Sequence, residues 1–203
     1  SSQNAASLIS GELSGVWTGS KPDNGLAVVG MNGWKIEPID IHVPERLFLP
    51  VRAVRGSETL HLVGVCVKPD GDYVSPTLRA LTLLSEFIDE HGAILAGDFN
   101  QSTCFDAKRS PNRHFARVLE LVDKLGLASA WHRQHGEKFG EETLPTHFHL
   151  WKRDRPFHID YVFVPRNTMV ASATLGTFDE FTASGLSDHV PLTIDIHGSA
   201  NQS

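Results

Sequence analysis

The chain has 203 residues, enough for one domain with a substantial core, and its 40 % hydrophobic and 21 % charged residues are ordinary for a globular protein. No apolar run approaches the ~18 residues of a membrane-spanning helix, no leader peptide is expected, and the two cysteines, Cys66 and Cys104, are too few for a disulfide framework. The expectation is a single cytoplasmic domain over residues 1–203 with reduced thiols, whose net charge of −6 runs against a broad electrostatic grip on duplex DNA.

In chain order, residues 4–13 read as a short helix, and residues 25–30, 47–54 and 60–67 read as strands. A loop follows through Lys68-Pro69-Asp70-Gly71-Asp72. Ser75-Pro76 starts a helix, with Ser75 as N-cap and Pro76 in the first turn. Leu78, Leu81, Leu84 and Ile88 then recur at helical spacing, and Gly92 supplies a stop. Ile94-Leu95-Ala96 is the next strand. Ser110-Pro111 opens a second helix, with Phe115, Val118, Leu119, Val122 and Leu125 on one face and Gly126 at its end. The last third reads as strands and loops. Strands and helices thus alternate through the middle, as in two packed sheets with helices outside.

Three short acidic motifs carry the chemistry. Gly97-Asp98-Phe99-Asn100 closes an apolar run, His158-Ile159-Asp160-Tyr161 opens Val162-Phe163-Val164, and Ser187-Asp188-His189 precedes Val190-Pro191-Leu192. Each places polar groups at the tip of a buried-strand pattern. If the tips converge, they form a pocket of three carboxylates, an amide and an imidazole, suited to a divalent metal and a phosphoester. Taken singly, Asp98 and Asn100 also fit an Asx turn. In an extended chain Asn100 falls on the same side as Asp98. Asp98 is placed to deprotonate a water, and the Asn100 amide to donate to a phosphate oxygen.

These motifs, in this order, resemble the endonuclease/exonuclease/phosphatase superfamily, the DNase I-like proteins. The stretch Gly136-Glu137-Lys138-Phe139-Gly140-Glu141-Glu142 with Pro145-Thr146 looks like a bacterial branch of it. The resemblance runs from about Val16 to Ile196. It implies a four-layered α/β sandwich and a divalent-metal-dependent phosphoester hydrolase, nuclease or phosphatase, using Mg²⁺ or Mn²⁺. By resemblance Asp98, Asn100, Asp160 and His189 are the catalytic residues. Asp160 pairs with His189, which when protonated donates to a non-bridging phosphate oxygen, and Asp188 is the metal ligand. His158 stands where many members have Arg and is a candidate phosphate contact or a packed residue behind the site. Arg79 is a weaker substrate contact.

The family's opening strands, which carry an Asn and a metal-ligating Glu, have no counterpart before Trp17-Thr18-Gly19. Glu12, between Gly11 and Leu13-Ser14-Gly15, does not replace that Glu. The fold is therefore expected to be N-terminally incomplete, with a weak metal site and either a strand-exchanged homodimer or further residues upstream. An alternative function follows: a catalytically impaired remnant serving as a binding or assembly module.

Other readings are weaker. His132, His135, His147 and His149 have spacings compatible with zinc, but no cysteine accompanies them. Trp131, Phe148, Trp151 and Phe157 are suited to core or rim packing, and less to base stacking. No Gly-x-Ser-x-Gly elbow supports a serine hydrolase.

Overall fold

In the computed structural model of the chain, residues 13–21, 24–44 and 48–197 are described. Glu12 and all but the last residue of the helix expected over 4–13 lie outside them. A hairpin of β1 (Ser14–Lys21) and β2 (Asn24–Gly30) leads to β3 (Lys35–Pro38), β4 (Phe48–Arg55) and β5 (Glu58–Cys66). Helices α1 (Val74–Leu83) and α2 (Ser85–His91) cross to β6 (Ile94–Asp98). After α3 (Ala116–Lys124) come β7 (Leu127–Ser129), α4 (Ala130–His135), the short β8 (His147–Phe148) and β9 (Pro156–Phe157), then β10 (Asp160–Pro165), β11 (Met169–Leu175) and β12 (Leu192–His197).

The central sheet has six strands in the order β3-β4-β5-β6-β10-β7. β5 and β6 are parallel, which the intervening helices allow, and the other pairs are antiparallel. Alternating side chains feed two cores. On one face Val63, Val65, Leu95, Tyr161 and Phe163 pack with Leu81, Leu84, Phe115 and Val118 from the helical side. On the other, Ile94 and Val164 pack with Leu62, Val162, Ile194 and Ile196.

That second face is covered by two separate hairpins, β1–β2 and β11–β12, rather than by one continuous sheet. This is the α/β sandwich that the family resemblance implies. A groove of about 430 Å³ runs between the hairpins, lined by Leu26, Val28, Gly64, Ala96, Val162 and Leu192. Gly64 is needed there, because a Cβ would stand 2.8 Å from a Val28 methyl.

Two helix starts differ from expectation. Asp72, not Ser75, caps α1: its carboxylate accepts from the Ser75 N–H at 2.6 Å and the Ser75 hydroxyl at 2.8 Å. The apolar period through Leu84 also spans a break, since α1 ends at Leu83 and α2 begins at Ser85. Pro111–Arg113 form only a 3₁₀ turn. The helix proper starts at Ala116, where Asp106 accepts from the N–H groups of Phe115 at 2.7 Å and Ala116 at 3.1 Å. No helix among the described residues is long and apolar enough to cross a membrane.

Candidate active site

β6 ends where only glycine fits. Gly97 has φ +140°, and a Cβ there would stand 1.9 Å from the Val65 carbonyl oxygen on β5. The strand stays in register with β5 and delivers Asp98 at its tip. The Asp98 carboxylate accepts from the Asn100 backbone N–H at 2.7 Å and its amide Nδ2 at 2.6 Å. Nδ2 also donates to the Val67 carbonyl at 3.1 Å. Asn100 is at φ +54°, so the chain is folded back here, not extended. Both amide hydrogens are engaged, and the residue braces Asp98 instead of reaching for a phosphate.

β10 lies antiparallel to β6, with Asp160 opposite Asp98. The entry to β10 is fixed by buried Thr146, whose hydroxyl accepts from the N–H groups of Ile159 and Asp160, both at 3.0 Å. Thr146 sits in a short extended segment running against residues 188–190. The Phe148 N–H donates to the Asp188 carbonyl at 2.7 Å, and the Val190 N–H to the Thr146 carbonyl at 2.9 Å. This pairing sets His147 beside His189, with ring centroids 4.5 Å apart. His189 Nδ1 meets Asp160 Oδ2 at 2.9 Å, and His147 Nε2 lies 3.5 Å from Asp188 Oδ2.

The charges are unevenly placed. Burial and the facing Asp160 push the Asp98 carboxyl up to about 6, despite opposing help from His189 and the Asn100 N–H. Burial works against a charged His189, but the Asp160 hydrogen bond and the charges of Asp160, Asp98 and Asp188 outweigh it and raise its pKa. His147 is held below its usual value by burial and by His189. The two neighbouring imidazoles are thus biased in opposite directions, His189 towards its charged form and His147 towards its neutral one.

One ligand atom from each of His147, Asp188 and His189 lies within 4.8 Å of the others. A single carboxylate with imidazoles is a borderline donor set, more tolerant of Mn²⁺ than of Mg²⁺, which prefers oxygen alone. Burial that disfavours the charged imidazole of His147 suits a ligand whose Nε2 faces Asp188. These residues fit a divalent ion.

No protein-family model and no curated protein matches the chain. Solved structures do. The 3′ phosphatase NExo from Neisseria, bound to a product DNA hairpin, superposes with a TM-score of 0.67 at 22% identity, over 96% of this chain and 83% of its own. The 3′-5′ exonuclease from Neisseria meningitidis gives 0.65 at 22%, over 95% and 82%. The endonuclease domain of a telomere-specific non-LTR retrotransposon gives 0.62 at 14%, over 94% and 81%. The fold is that of the DNase I-like endonucleases, exonucleases and phosphatases.

Within this DNase I-like fold the three acidic tips converge at one end of the sheet. His158 does not point into that site. It is 4 % exposed, donates through Nδ1–H to the Leu144 carbonyl at 2.9 Å, and has its pKa lowered by burial. Arg79 lies outside the cluster, on α1, paired with Asp70 at 2.9 Å. The four histidines of the zinc reading are divided: His132 serves Glu142, His135 meets the Ala173 carbonyl, His147 belongs to the site, and His149 packs edge-on to Phe157. Trp131 and Phe148 are core residues, while Trp151 is exposed. Sequence reasoning noted Thr146 only as part of the family-like stretch, without a role, and saw His147 only as a zinc candidate. The run Pro145-Thr146-His147 carries no signal of its pairing with residues 188–190.

Proposed function

We propose that the chain is a divalent-metal-dependent phosphoester hydrolase. The observation that carries the reading is the meeting of Asp98, whose carboxyl is pushed up to about 6, with the hydrogen-bonded His189–Asp160 pair. Above that pH Asp98 is ionised and accepts a proton from an attacking water. His189 Nε2–H donates to a non-bridging phosphoryl oxygen, while Asp160 holds Nδ1 and fixes the tautomer. Asn100 keeps the Asp98 carboxylate oriented, and Thr146 keeps Asp160 in place. Asp188 and His147 would hold Mn²⁺ or Mg²⁺, which neutralises phosphoryl charge when bound.

The likeness to NExo, a 3′ phosphatase solved with DNA, supports a nucleic-acid phosphoester as substrate. Hydrolysis of a 3′-phosphorylated oligonucleotide and of bis(p-nitrophenyl) phosphate, with EDTA, Mg²⁺ or Mn²⁺, tests the reading. We expect activity that EDTA removes, that Mn²⁺ restores better than Mg²⁺, and that Asp98→Ala abolishes. Unaltered turnover in Asp98→Ala would sink it.

One observation favours the second reading, a binding or assembly scaffold: Asp188 is the only carboxylate in the metal-ready cluster found among the described residues. No turnover with any metal would favour that role. The groove between β2 and β12 supports a strand-exchanged homodimer, which light scattering would show as a doubled mass.

A further inference from the structure

The cluster of His147, Asp188 and His189 offers two imidazoles and one carboxylate. Magnesium does not select such a set, whereas zinc takes the same mixture of donors in hydrolytic sites. The spacing agrees. His147 Nε2 and Asp188 Oδ2 stand 3.5 Å apart, beside the roughly 3.3 Å between neighbouring donors on a tetrahedral zinc. One ligand atom of His189 lies within 4.8 Å of both, so a small side-chain adjustment closes the set. The Asp188 side chain is 37 % exposed, which gives an ion a path from solvent.

His189 is supported from behind for this role. Its Nδ1 meets Asp160 Oδ2 at 2.9 Å, which leaves Nε2 as the nitrogen for an ion. A carboxylate behind a ligating imidazole fixes the tautomer and strengthens the donor. The Asp160 N–H donates in turn to the Thr146 hydroxyl at 3.0 Å, so the support is itself braced. His147 is placed beside His189 by the pairing of residues 146–148 with 188–190. His149 stays outside the cluster, its ring centroid 6.0 Å from that of His147. The fourth position of a tetrahedral ion falls to water or a phosphoryl oxygen.

We propose that His147, Asp188 and His189 form a zinc site, and that zinc bound there arrests hydrolysis by taking the lone pair of His189 Nε2. The arrest rests on the phosphoester-hydrolase reading; the site does not. In the hydrolytic state Nε2 carries the proton donated to a phosphoryl oxygen, and one lone pair cannot hold both that proton and a metal. The proton leaves to solvent as the nitrogen–zinc bond forms. Mg²⁺ or Mn²⁺ on Asp188 and His147 completes its shell with water and phosphate oxygens, and leaves His189 to the substrate. Zinc favours nitrogen and four ligands, and so draws His189 in. Which ion is bound therefore sets which of two states His189 adopts.

Titration calorimetry with Zn²⁺, and visible absorption with Co²⁺ in its place, test the site on the intact chain without turnover. Wild type should bind zinc about 100-fold more tightly than Mg²⁺, and Co²⁺ should show the intense bands of four-coordination. His147→Gln and His189→Gln should each weaken zinc about tenfold or more, and Asp160→Asn about tenfold through the support it gives His189. His61→Ala breaks up a stacked histidine pair elsewhere, His61 and His91 with ring centroids 4.3 Å apart, and should leave that affinity unchanged. Zinc held no more tightly than Mg²⁺, six-coordinate cobalt, or binding lost in His61→Ala would overturn the site. The wild-type cobalt spectrum decides this even if a variant fails to fold. For the arrest, an equivalent of Zn²⁺ added to the Mn²⁺-loaded protein should cut hydrolysis of the 3′-phosphorylated oligonucleotide about tenfold or more, and a zinc chelator should restore it. Zinc that binds at these residues and supports turnover as well as Mn²⁺ would overturn the arrest. Zinc binding that needs His147 and His189, with no turnover under any metal, would reject the hydrolase and keep the site.

Discussion

Two histidine–carboxylate pairs of similar length lie in this molecule, and they are built for different ends. His132 Nε2 meets Glu142 at 3.1 Å, and His189 Nδ1 meets Asp160 at 2.9 Å. Around His132 every group has a partner. Ser129 Oγ holds Nδ1 at 2.7 Å, the Gly140 N–H donates to Glu142 at 2.9 Å, and Phe139 stacks on the ring. Burial opposes the Glu142 charge, but the hydrogen bonds from His132 and Gly140 outweigh it and hold the carboxyl below its usual range. At His189 a third ionisable group intrudes, because Asp98 faces Asp160 across the sheet. The satisfied network fixes a loop, whereas the crowded one holds protons that can move.

The sharpest test of this contrast is Asp98→Asn. Loss of the proton acceptor should lower hydrolysis by about 10²–10⁴-fold. Stability should move the other way at alkaline pH. The folded pKa is raised to about 6, so ionised Asp98 opposes folding above that pH and has no effect once protonated in both states. Removing the charge should gain roughly 1–2 kcal/mol at pH 8, after allowing for one weakened Asn100 hydrogen bond. That gain corresponds to a few degrees in Tm and should vanish near pH 3.5. Calorimetry at the two pH values decides it. A lower Tm at pH 8 would show that Asp98 is not under electrostatic strain.

Glu142→Ala probes the other pair. It strands the His132 Nε2 and the Gly140 N–H, with both side chains of the pair under 10 % exposed. Loss of about 2–4 kcal/mol is expected in urea unfolding. Turnover per folded molecule should change less than about threefold, well short of what loss of a general base produces. A large fall in turnover at unchanged stability would erase the distinction between the pairs.

What the sequence disclosed, and what it hid, follows the range of each interaction. Gly97-Asp98, Asp160 and Asp188-His189 were legible because each is a contiguous string at a strand tip. Asn100 was legible as a residue but not in posture, since its φ of +54° breaks the period-2 alternation that would have aimed it at substrate. His158 misled for a related reason. It precedes the first residue of β10, so alternation with Asp160 does not apply. Thr146, His147 and the Asp106 cap act through partners ten or more residues distant in sequence or by pairing across loops, and no local pattern encodes them.

Thr146→Val keeps the side-chain shape and removes the acceptor for two backbone N–H groups. We expect about 1–3 kcal/mol of destabilisation. Turnover should fall more than in Glu142→Ala, because the entry to β10 positions Asp160. Equal turnover in the two variants would show that Asp160 needs no such brace.

The smallest effect, and the most specific, is a shift in pH dependence. The proposed mechanism requires Asp98 ionised and His189 protonated, so the profile should be bell-shaped with an acidic limb near 6. Asp160 acts on both groups with opposite consequences for their charge. It repels the Asp98 carboxylate and so raises that pKa. It also accepts from the His189 imidazolium and raises that pKa as well. In Asp160→Asn both influences are lost, and both limbs should move to lower pH by on the order of one unit. The limbs report the coupled cluster and not isolated residues, so the shared direction is the diagnostic. If Asp160 merely oriented His189, the alkaline limb alone would move. If the two carboxylates did not interact, the acidic limb would stay near 6. A downward shift of both limbs is the signature of Asp98, Asp160 and His189 titrating as one unit, and the His132–Glu142 pair offers no such response.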